Sequence, residues 1–205
     1  MRPSYHSVAR AVSIAVAAFV ACAWGLGGAS AGHVPVPDFP IGSKGTYLRE
    51  CASLKDPKRS ACYVKGMLEQ VEKSGNAATE LPKIDRSVRT SGGFVASNCH
   101  ILMHEVGRSF ARRNDVTLET LFQYVPKSND PGCSAGFGMG MVMHLGTELV
   151  LEPQKVVPIC SELPTRFREY TCYHGSGHAF MRGYHSQLRD AVNACNELGP
   201  RNAPD

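Results

Sequence analysis

The stretch CYHGSGHAF, residues 172–180, places two histidines four residues apart directly after a cysteine. Its cysteine is the last of four that recur along the chain: Cys62, Cys99, Cys133 and Cys172. Their intervals of roughly 34–39 residues are typical of helical-hairpin repeats. The spacing therefore predicts an all-α protein, a disulfide-stapled helical bundle or short solenoid of helical-hairpin repeats with a period of about 34–39 residues.

A second class of cysteine precedes two of the repeated ones at a short and similar distance, which predicts the disulfides Cys51–Cys62 and Cys160–Cys172. Each of these bonds would tie the end of one helix to the start of the next. Cys99 and Cys133 have no such predecessor, so we expect them to pair with each other. Spacing alone does not prove connectivity. Seven cysteines follow Ala31, however, so one must stay unpaired, and we expect the free thiol to be Cys195.

The N terminus has the pattern of an export signal. An apolar run covers residues 11–21 and is too short to span a bilayer, and small residues at 29–31 fit a signal peptidase site. We predict a signal peptide over 1–31, an extended tether over 32–45 and a single Cys/His-rich helical-repeat domain over 46–205. Cys22 offers a second interpretation, a lipidated cysteine. The protein is thus expected to be exported, either periplasmic or extracellular, as a released protein or a lipoprotein.

Five histidines in the cysteine-led segments suggest a metal site. Residues four apart on a helix lie on one face, about 6 Å from each other, so two imidazoles at that spacing can reach one cation. His100 and His104 form one such pair, and His174 and His178 form the other. Stacked repeats would make the pairs face each other, with His144 arriving from the repeat between them. These five residues are the predicted ligands of a transition metal, which the ligand type allows to be zinc, copper or iron.

The sequence leaves two functions open. In the first, the protein is a metal-dependent enzyme acting on an unknown substrate, with His185 as a candidate proton carrier and Glu105 as a weaker candidate base. The position of Arg108 on the same helical face favours a surface ion pair for Glu105 instead. In the second, the histidines are structural and the repeats form a non-enzymatic binding module for a protein or peptide partner.

Glycines recur inside the segments predicted to be helical, where each costs about 1 kcal/mol relative to alanine. They either allow close helix packing or let a ligand reach the backbone, and we favour packing; the residues are Gly136, Gly138, Gly140, Gly175 and Gly177. Met139 and Met143 share a helical face near His144. A thioether together with imidazole suits copper(I), although filling a core is the commoner use of methionine.

The charge of the chain argues against two classes of partner. The formal net charge is +4 at pH 7, and the predicted signal peptide contributes Arg2, Arg10 and no acidic residue, which leaves +2 after cleavage. So small a charge does not predict binding to nucleic acid or to an anionic membrane surface. No stretch after Ala31 is apolar over the length of a membrane span.

Overall fold

The computed structural model describes residues 47–125 and 132–199, so the predicted signal peptide, the tether and Cys22 lie outside the described residues. These residues form nine α-helices and two 3₁₀ turns, at Leu121–Gln123 and Pro153–Lys155, and contain no strand. The helices are α1 Tyr47–Ala52, α2 Lys58–Ser74, α3 Ala77–Ser91, α4 Gly93–Arg113, α5 Cys133–His144, α6 Gly146–Leu151, α7 Val156–Ser161, α8 Arg166–Gly183 and α9 Leu188–Glu197. The predicted all-α class is confirmed. In this part of the chain, no helix is both long and apolar enough to cross a membrane.

Local sequence explains where several helices begin and end. The Asn76 side chain accepts a hydrogen bond from the backbone N–H of Thr79 at 3.1 Å, which caps the start of α3. The Thr165 hydroxyl caps α8 in the same way, through the N–H of Arg168 at 3.3 Å. Such side chains satisfy one of the backbone donors that a helix start leaves without a partner. Gly75 ends α2 with a φ of 66°, a left-handed conformation that glycine adopts without strain.

Three disulfides staple the helices, and they join the same cysteines that the spacing pairs: Cys51–Cys62, Cys99–Cys133 and Cys160–Cys172. The first links the end of α1 to α2, the second links α4 to the start of α5, and the third links the end of α7 to α8. Cys195, near the end of α9, is a free thiol. The disulfide-stapled helical fold predicted from the sequence is therefore present.

The four helices that carry the repeated cysteines pack in chain order, α2 on α4, α4 on α5, and α5 on α8. Helix α3 covers α2 and α4, while α6, α7 and α9 pack against α8. The core between these helices is apolar, and its largest fully buried side chains include Tyr63, Met67, Phe137, Met141 and Phe180. Most of the stability of such short helices comes from this burial rather than from intrinsic helix propensity.

Glycines allow α4 and α5 to touch at the backbone. A Cβ atom at Gly136 would lie 2.3 Å from the carbonyl oxygen of His100, and one at Gly140 would lie 2.0 Å from the carbonyl oxygen of His104. Moving four residues along α5, from Gly136 to Gly140, moves the contact four residues along α4, from His100 to His104. The helices α4 and α5 therefore run parallel. Consecutive units of a solenoid have this relation.

The other side of α5 is in similar contact with α8. A Cβ atom at Gly175 would lie 3.1 Å from the Cα atom of Met139. A Cβ atom at Gly146, the first residue of α6, would lie 2.7 Å from the carbonyl oxygen of Ala179, so α6 also approaches α8 closely. Of the glycines named in the sequence, Gly136, Gly140 and Gly175 support the packing interpretation, since their neighbouring atoms belong to other helices. Helix α5 is thus held between two helices at close range.

We expect Gly140→Ala to lower the free energy of unfolding by about 2–3 kcal/mol, because the added methyl group forces α4 and α5 apart. Gly138→Ala is the matched control on the same helix. Its Cβ atom would meet only Val125, at an ordinary contact distance of 3.4 Å, so alanine should be neutral or stabilise by up to about 1 kcal/mol. Urea unfolding followed by circular dichroism measures both values. Equal stability of the two variants would contradict the backbone contact.

Candidate metal centre

Four of the five histidines predicted as ligands lie together between α4 and α8. The Nε2 atoms of His100 and His104, one turn apart on α4, are separated by 3.1 Å. The Nε2 atoms of His174 and His178, one turn apart on α8, are also separated by 3.1 Å. The ring centroids of His104 and His178 lie 5.1 Å apart, so the two pairs face one shared space.

The packing of the helices explains why the pairs meet. One pair occupies the first and fifth positions after Cys99, and the other occupies the second and sixth positions after Cys172. Relative to its cysteine, the second pair is thus shifted by one residue, which rotates its side chains by about 100° around the helix axis. Because of this rotation, α4 and α8, which lie on opposite sides of α5, can direct their histidines toward each other. Gly136 leaves room for one of the rings, since a Cβ atom there would lie 3.2 Å from Cδ2 of His104.

The two outer rings are held by further hydrogen bonds. The Nδ1 atom of His174 lies 3.4 Å from the Tyr170 hydroxyl, one turn earlier on α8. The ring of His100 is hydrogen-bonded to the backbone of Gly132, immediately before α5. Histidines that bind metals generally use their second nitrogen in this way, which fixes the tautomer and the ring orientation. Both outer rings are thus oriented with Nε2 toward the inner ring of their pair.

Burial favours the neutral form of three of the clustered imidazoles, those of His100, His104 and His178. His104 is 8% exposed, and burial, followed by repulsion from His100, His178 and His174, lowers its pKa from 6.5 to about 3. Burial and then the proximity of His174 also lower the pKa of His100 and that of His178. Since a metal binds the lone pair of a neutral imidazole, these shifts favour the ligand form of His100, His104 and His178.

A more compact group of ligand-type atoms lies elsewhere. Atoms of Asp85, Cys99 and Cys133 fall within 4.8 Å of one another, and among the described residues no other group of three does. The two cysteines form a disulfide and offer no thiolate. Asp85 accepts a hydrogen bond from the N–H of Cys133 at 3.0 Å, so it supports the start of α5. Because no three histidine nitrogens meet the same 4.8 Å limit, the side chains must rotate before the four rings can bind one ion.

The structure does not bring His144 into the cluster. It lies at the end of α5, where burial and then the charges of Arg112, Arg108 and Arg182 lower its pKa. In the described part of the chain, no ring contact joins His144 to the other four histidines. The ligand set that the geometry supports thus has four members rather than the predicted five.

The two catalytic candidates are placed differently from the ring cluster. Glu105 forms an ion pair with Arg108, whose Nε donates to Oε2 at 3.1 Å, which is the surface pairing that the sequence favours. His185 is exposed beyond the end of α8, nearly two turns after His178, with a φ of 51°. Ser176, within CYHGSGHAF, is fully buried and its hydroxyl donates to the carbonyl oxygen of Cys172 at 2.9 Å. None of these positions indicates a role beside the rings.

Sequence analysis missed the two groups that orient the outer rings. Tyr170 precedes His174 by four residues, the same spacing that marks the histidine pairs, so that contact had a signal in the sequence. The contact between His100 on α4 and Gly132, the residue before α5, had no signal in the sequence. It depends on how α5 lies against α4.

Comparisons with known protein families, curated proteins and solved structures give no match to this chain. Evidence of function therefore comes from the side chains of the site.

We expect the metal-free protein to lose stability as the pH falls from 7 to about 4. The pKa of His104 is about 3 in the folded chain and about 6.5 in an unfolded one. Between these values the unfolded chain binds more protons, so acid favours unfolding. The pKa values of His100 and His178 are shifted in the same direction.

Urea unfolding at several pH values measures this dependence. His104→Gln should flatten the decline in unfolding free energy below pH 6.5. His185→Gln changes an exposed histidine and should retain the wild-type decline. A wild-type protein whose stability is constant or rises toward pH 4 would show that the rings are not buried as described.

Proposed function

We propose that this protein is exported and binds a transition-metal ion between α4 and α8. The proposed ligands are His100, His104, His174 and His178. The observation that carries the proposal is the convergence of two helical histidine pairs, joined by the 5.1 Å contact between the rings of His104 and His178.

The ring spacings support a joint site. In a tetrahedral site with metal–nitrogen distances of about 2.0–2.1 Å, the ligand nitrogens are about 3.3 Å apart and the imidazole centroids about 5 Å apart. The Nε2 separation within each pair is 3.1 Å. Consecutive ring centroids, in the order His100, His104, His178 and His174, are separated by 4.6, 5.1 and 4.8 Å. Each consecutive spacing therefore matches that of a shared site. No three of the histidine nitrogens lie within 4.8 Å of one another, so the rings must rotate to bind one ion together.

The ligand chemistry restricts the metal to a few ions. Imidazole nitrogen binds zinc, copper and iron, whereas magnesium and calcium prefer oxygen. Of the two methionines that share a face near His144, Met139 is buried and Met143 is half-buried, and filling a core is the commoner use of methionine. The proposed set is thus four imidazole nitrogens without a thioether.

Metal binding is supported more strongly than catalysis. A site with four protein ligands is coordinatively closed, whereas a catalytic zinc site keeps one position for water or substrate. Glu105 is held by Arg108, and His185 is exposed past the end of its helix. We therefore assign no catalytic residue.

The alternative is a non-enzymatic binding module with structural histidines. A separation of 3.1 Å between Nε2 atoms is also a hydrogen-bond distance, with one ring donating and the other accepting. Exposed apolar side chains on the surface, including Ile101 at 65% and Leu151 at 77% exposure, favour a protein partner in this case.

Metal analysis of protein purified without an affinity tag distinguishes the two functions. We expect about one equivalent of zinc, copper or iron per chain. His104→Ala and His178→Ala should each weaken metal binding more than about 100-fold, since each removes a direct ligand. His144→Ala is the matched control and should bind the ion as the wild type does.

Folded wild-type protein that stays metal-free after incubation with each ion, with an unchanged melting temperature, would contradict the proposal. That result supports the binding module. Equal loss of metal in the His144→Ala variant would instead place the site closer to the end of α5 than the four rings indicate.

A further inference from the structure

A cavity on the interface of α5 and α8 contains a buried arginine. The cavity has a volume of about 30 Å³ and opens partly to the surface. One water needs only about 10–15 Å³. Its walls are mainly apolar and include Phe122, Val125, Val142 and Phe167, with Arg168 as the charged member. None of the four clustered histidines lines it.

The charge of Arg168 is not compensated in the described part of the chain. The residue is 9% exposed, and its Nη2 donates only a long hydrogen bond, 3.3 Å, to the carbonyl oxygen of Val125. Its Nε atom is buried and has no hydrogen-bond partner among the described residues. Burial lowers the pKa of Arg168, and no charge among residues 47–125 and 132–199 contributes to that shift. Buried cations are normally paired, because an unpaired one loses its hydration without compensation.

We propose that this cavity binds a small carboxylate with a short aliphatic tail. The carboxylate would accept hydrogen bonds from the Arg168 guanidinium, whose planar N–H groups match two oxygens. The tail would pack against Phe122 and Val142, because apolar walls favour aliphatic carbon over water. The size of the cavity limits the tail to a few carbons. This site is separate from the histidine cluster and does not depend on a bound metal.

Butyrate is the probe, and its effect on the full-length protein is measured by calorimetric titration and by thermal melting. We expect butyrate to bind and to raise the melting temperature, since a ligand that binds only the folded state stabilises it. Butyramide has nearly the same shape without the charge, and chloride has the charge without the tail. Both should bind at least about tenfold more weakly than butyrate.

Two variants and one matched control locate the site. Arg168→Met keeps a long side chain without the charge and should abolish butyrate binding. Arg166→Met is the matched control on the same helix, because the Arg166 side chain is 95% exposed and paired with Glu169. It should bind butyrate as the wild type does. Gly138→Val fills the cavity from α5 and should block binding even where Arg168 is intact.

Three results would overturn the proposal. The first is a wild-type protein that does not respond to butyrate, which would leave water as the occupant of the cavity. The second is unchanged butyrate binding by Arg168→Met or Gly138→Val. The third is a response to chloride equal to that to butyrate, which would indicate a simple anion site. Metal content should be the same in all three variants, so failure here is distinguishable from failure of the histidine site.

Discussion

Backbone contact across α5 sets the geometry of the histidine cluster. Gly136 and Gly140 place one side of α5 against the carbonyl groups of His100 and His104, and Gly175 places α8 against the other side. Helices that pack through ordinary side chains are about 8–10 Å apart. At that spacing α4 and α8 would each lie further from α5, and the rings of His104 and His178 could not approach to 5.1 Å. The geometry of the proposed metal site thus depends on the lack of side chains at these glycines.

Disulfides fix the axial position of the same helices. Each histidine pair begins within two residues of a bonded cysteine, Cys99 on α4 and Cys172 on α8. In the chain-entropy model, the loops of 34 and 12 residues that these two disulfides close contribute about 3–4 kcal/mol each through the unfolded state. The buried carboxylate of Asp85 adds a hydrogen bond at the start of α5. Glycine contacts therefore set how close the helices lie, the Cys99–Cys133 disulfide sets where along their axes α4 and α5 meet, and the Cys160–Cys172 disulfide ties α8 to α7.

Much of this arrangement could be predicted from the cysteines and histidines alone, because covalent pairing and four-residue spacing are local properties. The relative rotation of α4 and α8 was not predictable in the same way, since it follows from glycine contacts between helices. His144 shows the consequence. It lies one turn beyond Gly140, which already contacts His104, and so it is level with Arg108 and Arg112 rather than with the rings. The cavity around Arg168 had no sequence signal, because three separate segments form its walls.

X-ray absorption spectroscopy of the metal in untagged protein is the most direct test of a site formed by four histidines, because it reports the number and type of ligand atoms. We predict a first shell of about four nitrogens at about 2.0–2.1 Å, with the outer-shell scattering of imidazole rings. Such a shell requires both histidine pairs, since each of α4 and α8 supplies only two rings to the cluster. A first shell with two or fewer imidazoles would contradict a joint site of both pairs, because the ion would then be bound by one pair alone or by residues outside the cluster.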